Sequence, residues 1–384
     1  MVIDQFDRED EAPDKGKGAA IWASRYADTL RSRGHEVRVC ATGDPAPGKY
    51  VMDNKTIPIA TRVGEKCGFT FGRMNEPVIR EALHGADIVH FFLPYELSYT
   101  SIKVAQEMDI PCFGAFHTQP ENVTYHLGLK HFPFVATYIY GRFRRKLYRH
   151  FDHIHCPTEF IADQLREHNY AAKLHVISNG IDEGFHPIAV TRPPELRGKF
   201  IVGMVGRLAP EKRQDLIIRA VAKSPYRDRI HVDLCGKGAK EKKLRRLARR
   251  KRVSASFGFY PKSELLRHLN MFDLYVHASE VEIEAIACWE ALACGKVPVI
   301  ANSPLSATKS FALDERSLFH NKDIDDLRRK IEYWMEHPAE RAEMGAKYIE
   351  AARTNSLTKS IDRIEHVYSQ VIEDHKAKAA ASAS

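Results

Sequence analysis

The chain has 384 residues, 44% of them hydrophobic and 28% charged, enough to bury sizeable cores and to fill two domains. Its formal charge is +8, no apolar run approaches the roughly 20 residues a membrane-spanning helix needs, and the first residues lack a basic stretch followed by an apolar core, so neither a membrane-spanning nor an exported protein is expected. Seven cysteines, odd in number, scattered and never in a C-x-x-C pair, read as small apolar residues of a reducing compartment rather than as a disulfide framework.

In chain order, Val2-Ile3-Asp4 reads as a strand, a polar loop runs to Lys15-Gly16-Lys17-Gly18, a helix covers 19–33 and a strand 36–41. Continuous apolar runs follow at 86–91, 111–116, 153–156 and 174–177, with helical patterns between most of them, as strands buried on both faces of a parallel sheet require. In 153–156 the alternation puts His153 and His155 on one face and Cys156 on the other, which argues against a metal site there. Around Arg192-Pro193-Pro194-Glu195 the composition turns proline-rich, and the pattern restarts: strand 200–205, helix from Arg213, strand 230–235, a basic helix over 240–252, strand 253–259, helix from Ser263 and strand 274–277. The reading is α/β throughout: a first domain over 1–190, a second over 191–355, a helix over 356–376 packing back on the first, and a structureless tail over 377–384.

Two basic stretches stand out. Arg142, Arg144, Arg145, Lys146 and Arg149 interleave with Ile139, Phe143, Leu147 and Phe151, giving a cationic face beside an apolar stripe. Residues 240–252 are almost purely cationic. Each reads either as a solvated helix face or as an attraction for anionic lipid headgroups, worth on the order of 1 kcal/mol per Lys or Arg. Neither sits in a recognisable nucleic-acid-binding module, so nucleic acid is not expected as a partner.

The chemistry concentrates in two segments. Strand 200–205 empties into Gly206-Arg207-Leu208-Ala209-Pro210-Glu211-Lys212, which places Arg207 and Lys212 at the carboxyl end of a parallel strand, where open α/β sheets bind ligands. A guanidinium fork and an ammonium there suit a diphosphate; the plainer alternative is a surface loop with a salt bridge to Glu211. From Ser279 to Ala301, Glu282 precedes a helix expected to start near Glu284, Glu290 lies inside that helix, Gly295 caps it and 297–300 is a buried strand. Carboxylates that accept from sugar hydroxyls, beside a helix N-terminus that attracts phosphate, suit a polyhydroxylated, phosphorylated ligand. Gly236-Lys237-Gly238 and the first glycine-rich loop, with Gly16 and Gly18, offer backbone amides to the same kind of ligand. The D-x-D at Asp323-Ile324-Asp325 precedes a helix and reads as its N-cap.

Gly206-Arg207 with Glu211-Lys212, Glu282-x7-Glu290 with Ala291 and Cys294-Gly295, and Asn179-Gly180-Ile181-Asp182 at the domain junction together resemble the retaining glycosyltransferase family 4, over nearly the whole chain. The resemblance implies the GT-B fold, two doubly wound Rossmann-like domains facing a central cleft, with a UDP-sugar held by the second domain and the acceptor by the first. It implies that Arg207 and Lys212 neutralise the leaving diphosphate, that Glu290 binds the ribose, that Glu282 contacts the donor sugar and that His117 reaches that sugar from the first domain. Gly16, Gly18, Gly206, Gly236, Phe259, Ile283, Glu284 and Ala285 complete the expected donor contacts. The chain departs from the family where Ile283, Glu284 and Ala285 follow Glu282, since small or glycine residues are usual there. That form, and Phe116-His117-Thr118-Gln119-Pro120-Glu121-Asn122, is similar to bacterial diacylglycerol glucosyltransferases.

The resulting expectation is a retaining hexosyltransferase that moves glucose from a UDP-sugar to a lipid hydroxyl, that of diacylglycerol, without a metal or other cofactor. It would work from the cytoplasm, peripheral on the inner face of the membrane, with 91–95 and 123–129 lining the acceptor entrance and Arg142, Arg144, Arg145, Lys146 and Arg149 meeting anionic lipid. The alternatives are a soluble or polyprenyl-linked glycan acceptor, and a GT-B-fold epimerase.

Overall fold

A computed structural model of the chain describes residues 1–6, 18–57, 61, 64 and 69–383, and it divides into two units. The first holds Met1–Asn179 and Thr358–Ser384, the second Gly180–Leu357.

In the first unit the strands are β1 (Val2–Gln5), β2 (Val39–Thr42), β3 (Lys49–Val51), β6 (Val89–Phe91), β7 (Cys112–Ala115), β8 (His153–Cys156) and β9 (Lys173–Val176), all parallel, in the order β3-β2-β1-β6-β7-β8-β9. A small antiparallel pair, β4 (Asp53–Lys55) and β5 (Phe71–Arg73), lies outside that sheet. The helices are α1 (Gly18–Ser32), α2 (Glu76–Leu83), α3 (Glu96–Glu107), α4 (Pro120–His126), α5 (Pro133–Lys146) and α6 (Glu159–Glu167). Strand β8 is buried along its whole length, so its two histidines need partners: His153 Nδ1 lies 2.9 Å from His175 Nε2, and His155 Nε2 lies 2.6 Å from the Ile177 carbonyl.

The second unit carries β10 (Phe200–Val205), β11 (Ile230–Cys235), β12 (Ser254–Gly258), β13 (Leu274–His277), β15 (Pro298–Asn302) and β17 (Leu318–His320), parallel and ordered β12-β11-β10-β13-β15-β17. A two-residue strand β14 (Val281–Glu282) pairs with β16 (Leu305–Ser306) beside it. Its helices are α7 (Gln214–Lys223), α8 (Glu241–Lys251), α9 (Lys262–Met271), α10 (Ile286–Ala293), α11 (Ile324–Glu336) and α12 (Pro338–Arg353). Strand β10 has β11 on one side and β13 on the other, so the chain reverses its direction of travel across the sheet between them, and the carboxyl ends of β10 and β13 flank the reversal.

The last helix, α13 (Leu357–Ala383), belongs to the first unit from Thr358 onward. Tyr368 Oη lies 2.5 Å from Tyr26 Oη, Arg33 pairs with Glu365, and Asp374 lies 2.9 Å from His153 Nε2. The chain passes between units at 179/180 and 357/358, rather than at 190/191 and 355/356. Residues 377–383, expected to be structureless, continue the helix: alanine and lysine are strong helix formers, and a helix already nucleated gains one hydrogen bond for each residue it fixes. Strands β3, β4, β5 and β17, of three residues each, and β14 and β16, of two, were not read from the sequence.

Candidate active site

Loops leaving β10, β11 and β13 bring most of the singled-out residues of the second unit together. The loop after β10 packs backbone to backbone on the loop after β11: Gly206 N donates to the Cys235 carbonyl at 2.9 Å, Leu208 N to the Lys237 carbonyl at 2.8 Å, and Lys240 N to the Leu208 carbonyl at 3.0 Å. A Cβ on Gly236 would sit 2.0 Å from the Gly206 carbonyl oxygen, and one on Gly238 2.4 Å from the Leu208 oxygen. Glycine is needed at both positions for that approach. Phe259, just beyond β12, carries the Lys237 ammonium 4.8 Å above its ring centre.

The acidic segment is tied to the same loops. Glu280 N donates to the Glu211 carbonyl at 2.8 Å, and Ser303 Oγ to the Glu280 carbonyl at 2.6 Å. Lys212 Nζ pairs with Glu282 Oε1, and His277 Nε2 lies 3.2 Å from the same oxygen. Burial pushes the Glu282 carboxyl upward, but the adjacent Lys212 charge and the His277 bond outweigh it and hold the group below the ordinary carboxylate range. Burial in turn lowers His277, against the pull of Glu282. Arg207 Nη2 reaches Glu211 Oε1 at 2.9 Å, so the salt bridge weighed as the plainer alternative is present.

Sequence reading assigned Lys212 to the diphosphate and Glu282 to the donor sugar; here they form one buried ion pair. It also passed over several residues. Arg213, held at φ +52°, pairs with Glu280 and lies 3.2 Å from Asp215; Lys322 Nζ is 3.6 Å from Glu280; and Gln214 Nε2 donates to the Arg207 carbonyl at 2.9 Å. With His277, these build the walls of the site. Glu280 was within reach of the pattern, since in an extended segment it shares a face with Glu282. Its pairing with Arg213, 67 residues away, was not.

Helix α10 begins at Ile286 rather than near Glu284, because Ala285 adopts the left-handed conformation (φ +59°, ψ 67°), a costly state for a residue with a Cβ. Glu290 is buried one turn into the helix, Glu284 is buried before it, and Ile283 is half-buried. Gly295 (φ +74°) closes the helix as expected, its N–H donating to the Leu292 carbonyl at 2.9 Å. Asp323 is the predicted N-cap: its Oδ1 accepts from the Asp325 and Asp326 amides, both at 2.9 Å. Asp233, Cys235 and His268 form the group, among the described residues, whose donor atoms could hold a metal ion, all within 4.8 Å. They already bond to their surroundings: Asp233 Oδ2 lies 2.7 Å from His268 Nδ1, and its Oδ1 accepts from Ser256 at 2.6 Å.

In the first unit, His117 sits between Trp22, His155 and Phe92, with ring centres 4.8, 5.4 and 5.8 Å away. Burial, then the neighbouring His155, drives its pKa well below the ordinary value, so the imidazole is neutral at pH 7. Its Nε2 has no hydrogen-bond partner among the described residues. Gly16 lies outside the described residues, and Gly18 opens α1. Two readings need correction. The stripe Phe143, Leu147, Phe151 is core of the first unit, with Ile139 half-buried, and so is not a membrane-facing surface. Phe91, Phe92 and Leu93, expected at the acceptor entrance, are also buried in that core. In both cases apolar spacing was satisfied by the protein's own sheet.

Residues 191–354 match the family described as glycosyl transferases group 1, and residues 16–185 match Glycosyltransferase Family 4. The chain is a family 4 glycosyltransferase. This glycosyltransferase is 29% identical over 291 residues to a GDP-mannose-dependent alpha-mannosyltransferase of Mycolicibacterium smegmatis, covering 72% of this chain and 73% of that one. It is 22% identical over 310 residues to an alpha-monoglucosyldiacylglycerol synthase of Streptococcus pneumoniae, covering 74% and 68%. Its fold is GT-B, like that of Anabaena HepE solved with UDP-glucose, with a TM-score of 0.72 at 16% identity over 96% of this chain and 98% of that one. No helix among the described residues is long and apolar enough to cross a membrane.

Proposed function

We propose that this glycosyltransferase moves a hexose, glucose in the first instance, from a UDP-sugar to the hydroxyl of a membrane lipid, diacylglycerol, with retention of anomeric configuration. The observation that carries the reading is the Lys212–Glu282 ion pair beside Arg207–Glu211 at the carboxyl ends of β10 and β13. Breaking a sugar–phosphate bond develops negative charge on the departing diphosphate. Lys212 and Arg207 are held in place by carboxylates before any ligand arrives, so they can turn toward that charge with little reorganisation. Glu282, kept ionised, offers an acceptor to a sugar hydroxyl, and Glu290 offers one to the ribose. The acceptor hydroxyl attacks on the leaving-group face and passes its proton to the diphosphate, so no protein general base and no metal is assigned. His117, neutral and bearing an unsatisfied buried nitrogen, suits a hydrogen bond to a sugar hydroxyl. The exposed cations Arg142, Arg145, Lys146 and Arg149, with the half-buried Arg144, suit a peripheral position on an anionic membrane surface, the cytoplasmic face of the cell membrane.

The lipid acceptor is supported by the named activity of the Streptococcus relative, and the UDP-sugar by the ligand of HepE. A second donor reading, GDP-mannose, is favoured by the Mycolicibacterium relative. One experiment separates them: the enzyme is incubated with UDP-glucose, UDP-galactose or GDP-mannose against a panel of hydroxyl-bearing lipids, with diacylglycerol, a glycosylated diacylglycerol and a sterol among them. Products are identified by mass spectrometry and their anomeric configuration by NMR. Transfer from UDP-glucose to diacylglycerol with an α-linkage is expected. Transfer only from GDP-mannose, only to soluble glycans, or with inversion would overturn the corresponding part.

A further inference from the structure

A second cationic site lies in the first unit, and none of the residues lining it is assigned to the donor. A cavity of about 330 Å³ is walled by Arg144, Arg145 and Arg149 and floored by Tyr148, Phe151 and Tyr170. The floor is rigid: all three rings are buried, Tyr148 Oη donates to the Ala115 carbonyl and Tyr170 Oη to the Tyr140 carbonyl, each at 2.9 Å. Arg144 is fixed by two bonds of 3.0 Å from its Nη1 to the His168 and Asn169 carbonyls. Asn169 presents its carbonyl because it takes a left-handed turn (φ +58°) after α6. Arg145 and Arg149 are exposed at the rim, and among the described residues none of the three arginines is paired with a carboxylate. The acid that does line the cavity, Asp152, lies 2.6 Å from Lys378 Nζ of α13.

What stands beside the cavity indicates the kind of surface it meets. Phe132, Phe134 and Tyr138 are 49, 70 and 62% exposed at the N-terminal end of α5. Phe134, Tyr138, Arg142 and Arg145 fall at i, i+4, i+8 and i+11, so aromatic rings and then cations run down one face of a helix that contains no acidic residue. Rings that enter the headgroup boundary next to cations that stay among phosphates form the pattern of an interfacial anchor.

We propose that the cavity between Arg145, Arg149 and Tyr170 receives the phosphate of an anionic phospholipid headgroup in a bilayer, with Phe134 and Tyr138 entering the acyl boundary beside it. This rests on the membrane reading above and makes it specific: one phosphate pocket, not diffuse charge, selects the lipid surface. Arg144 and Arg149 supply guanidinium donors from two sides, Arg145 closes the rim, and the aromatic floor leaves a dry base under the phosphate.

The test uses the full chain and co-sedimentation with phosphatidylcholine vesicles, with and without phosphatidylglycerol. Arg145→Gln with Arg149→Gln is expected to lower binding to the anionic vesicles by more than the roughly thirtyfold that two cations acting only as diffuse charge, at about 1 kcal/mol each, would account for. Ala172→Trp, which fills the cavity without changing charge, is expected to lower it as well, whereas Arg142→Gln with Lys146→Gln, off the cavity, is expected to cost clearly less. Phe134→Ser with Tyr138→Ser should weaken binding to both kinds of vesicle. Unfolding transitions are recorded for each variant, so that loss of fold is not read as loss of binding. Equal losses for the two pairs of cations, or no loss for Ala172→Trp, would reduce the site to diffuse charge and overturn the proposal. So would glycerol phosphate saturating the wild-type protein while vesicle binding is indifferent to Arg145 and Arg149, since the ligand would then be a soluble phosphate. Failure of the lipid-acceptor reading is seen separately in the product panel: no lipid product with pocket-dependent vesicle binding keeps the pocket, and a lipid product with pocket-independent binding removes it.

Discussion

The molecule carries two cationic sites built on opposite plans. In the second unit Arg207, Lys212 and Arg213 each have a carboxylate partner, Glu211, Glu282 and Glu280, and all three acids are buried. In the first unit Arg144, Arg145 and Arg149 have no carboxylate partner among the described residues, and Arg145 and Arg149 are exposed to solvent. The difference teaches what each can do. Buried pairs fix their cations before a ligand arrives, at a desolvation cost, and are little screened by salt. Open arginines keep their charge available at long range, and give it up to salt.

The sharpest break of this comparison is Lys212→Ala. Turnover with saturating donor should fall about 10²–10³-fold, and the stranded Glu282 should also lower stability, by up to about 3–5 kcal/mol as for other halved buried pairs. Adding Glu282→Gln should return stability but not turnover, as read by kinetics alongside denaturant melts. Near-normal turnover in the single variant would remove Lys212 from the chemistry. Next in size, Gly236→Ala must push two loop backbones apart and should cost about 1–3 kcal/mol, as overpacking does, with donor KM rising because Arg207 and Lys212 ride on the displaced loop.

Acid should separate the buried histidines from Glu282. Burial holds His155, and burial with the neighbouring His153 holds His175, at a pKa of about 4, below the ordinary histidine value of 6.5. Both are therefore neutral in the fold, and the unfolded chain binds more protons. Their contribution is complete above pH 6.5 and is lost as pH falls from there toward 4, by roughly 2–3 kcal/mol for the fully buried His155. Glu282 behaves otherwise: its lowered pKa gives stability present above the ordinary carboxylate value and lost only as pH falls through its own lower one. Urea melts between pH 7.5 and 5 should thus show destabilisation that His155→Gln flattens and Glu282→Gln leaves in place.

The smallest expected effect is a control on charge itself. Helix α8 is more basic than α5, but its Leu244, Leu247 and Ala248 face the core, Arg245 is spent on Glu241 and on the Phe257 ring and carbonyl, and no large exposed aromatic lies on it. Lys242→Glu with Lys243→Glu should therefore leave vesicle binding within about twofold, near the limit of what one surface charge is worth at physiological salt. A loss as large as that for Arg145 and Arg149 would show that net charge, not the α5 surface, brings the protein to lipid.

Much of this was written locally. The alternating strands and helices, the loop after 205, the Gly295 cap and the Asp323 cap each follow from a few neighbouring residues whose backbone options are narrow, and they stand where expected. So do the acids at 282 and 290, one before a helix and one inside it. The tertiary structure decided what depends on distance along the chain: that Lys212 meets Glu282 and Arg213 meets Glu280 across 70 and 67 residues, that Ala285 is forced into a left-handed turn, and that Phe143, Leu147 and Phe151 turn inward while Phe134 and Tyr138 are left outside. An apolar residue at helical spacing states only that it avoids water. Whether it finds a sheet or a lipid to do so is set by what the rest of the chain packs against it.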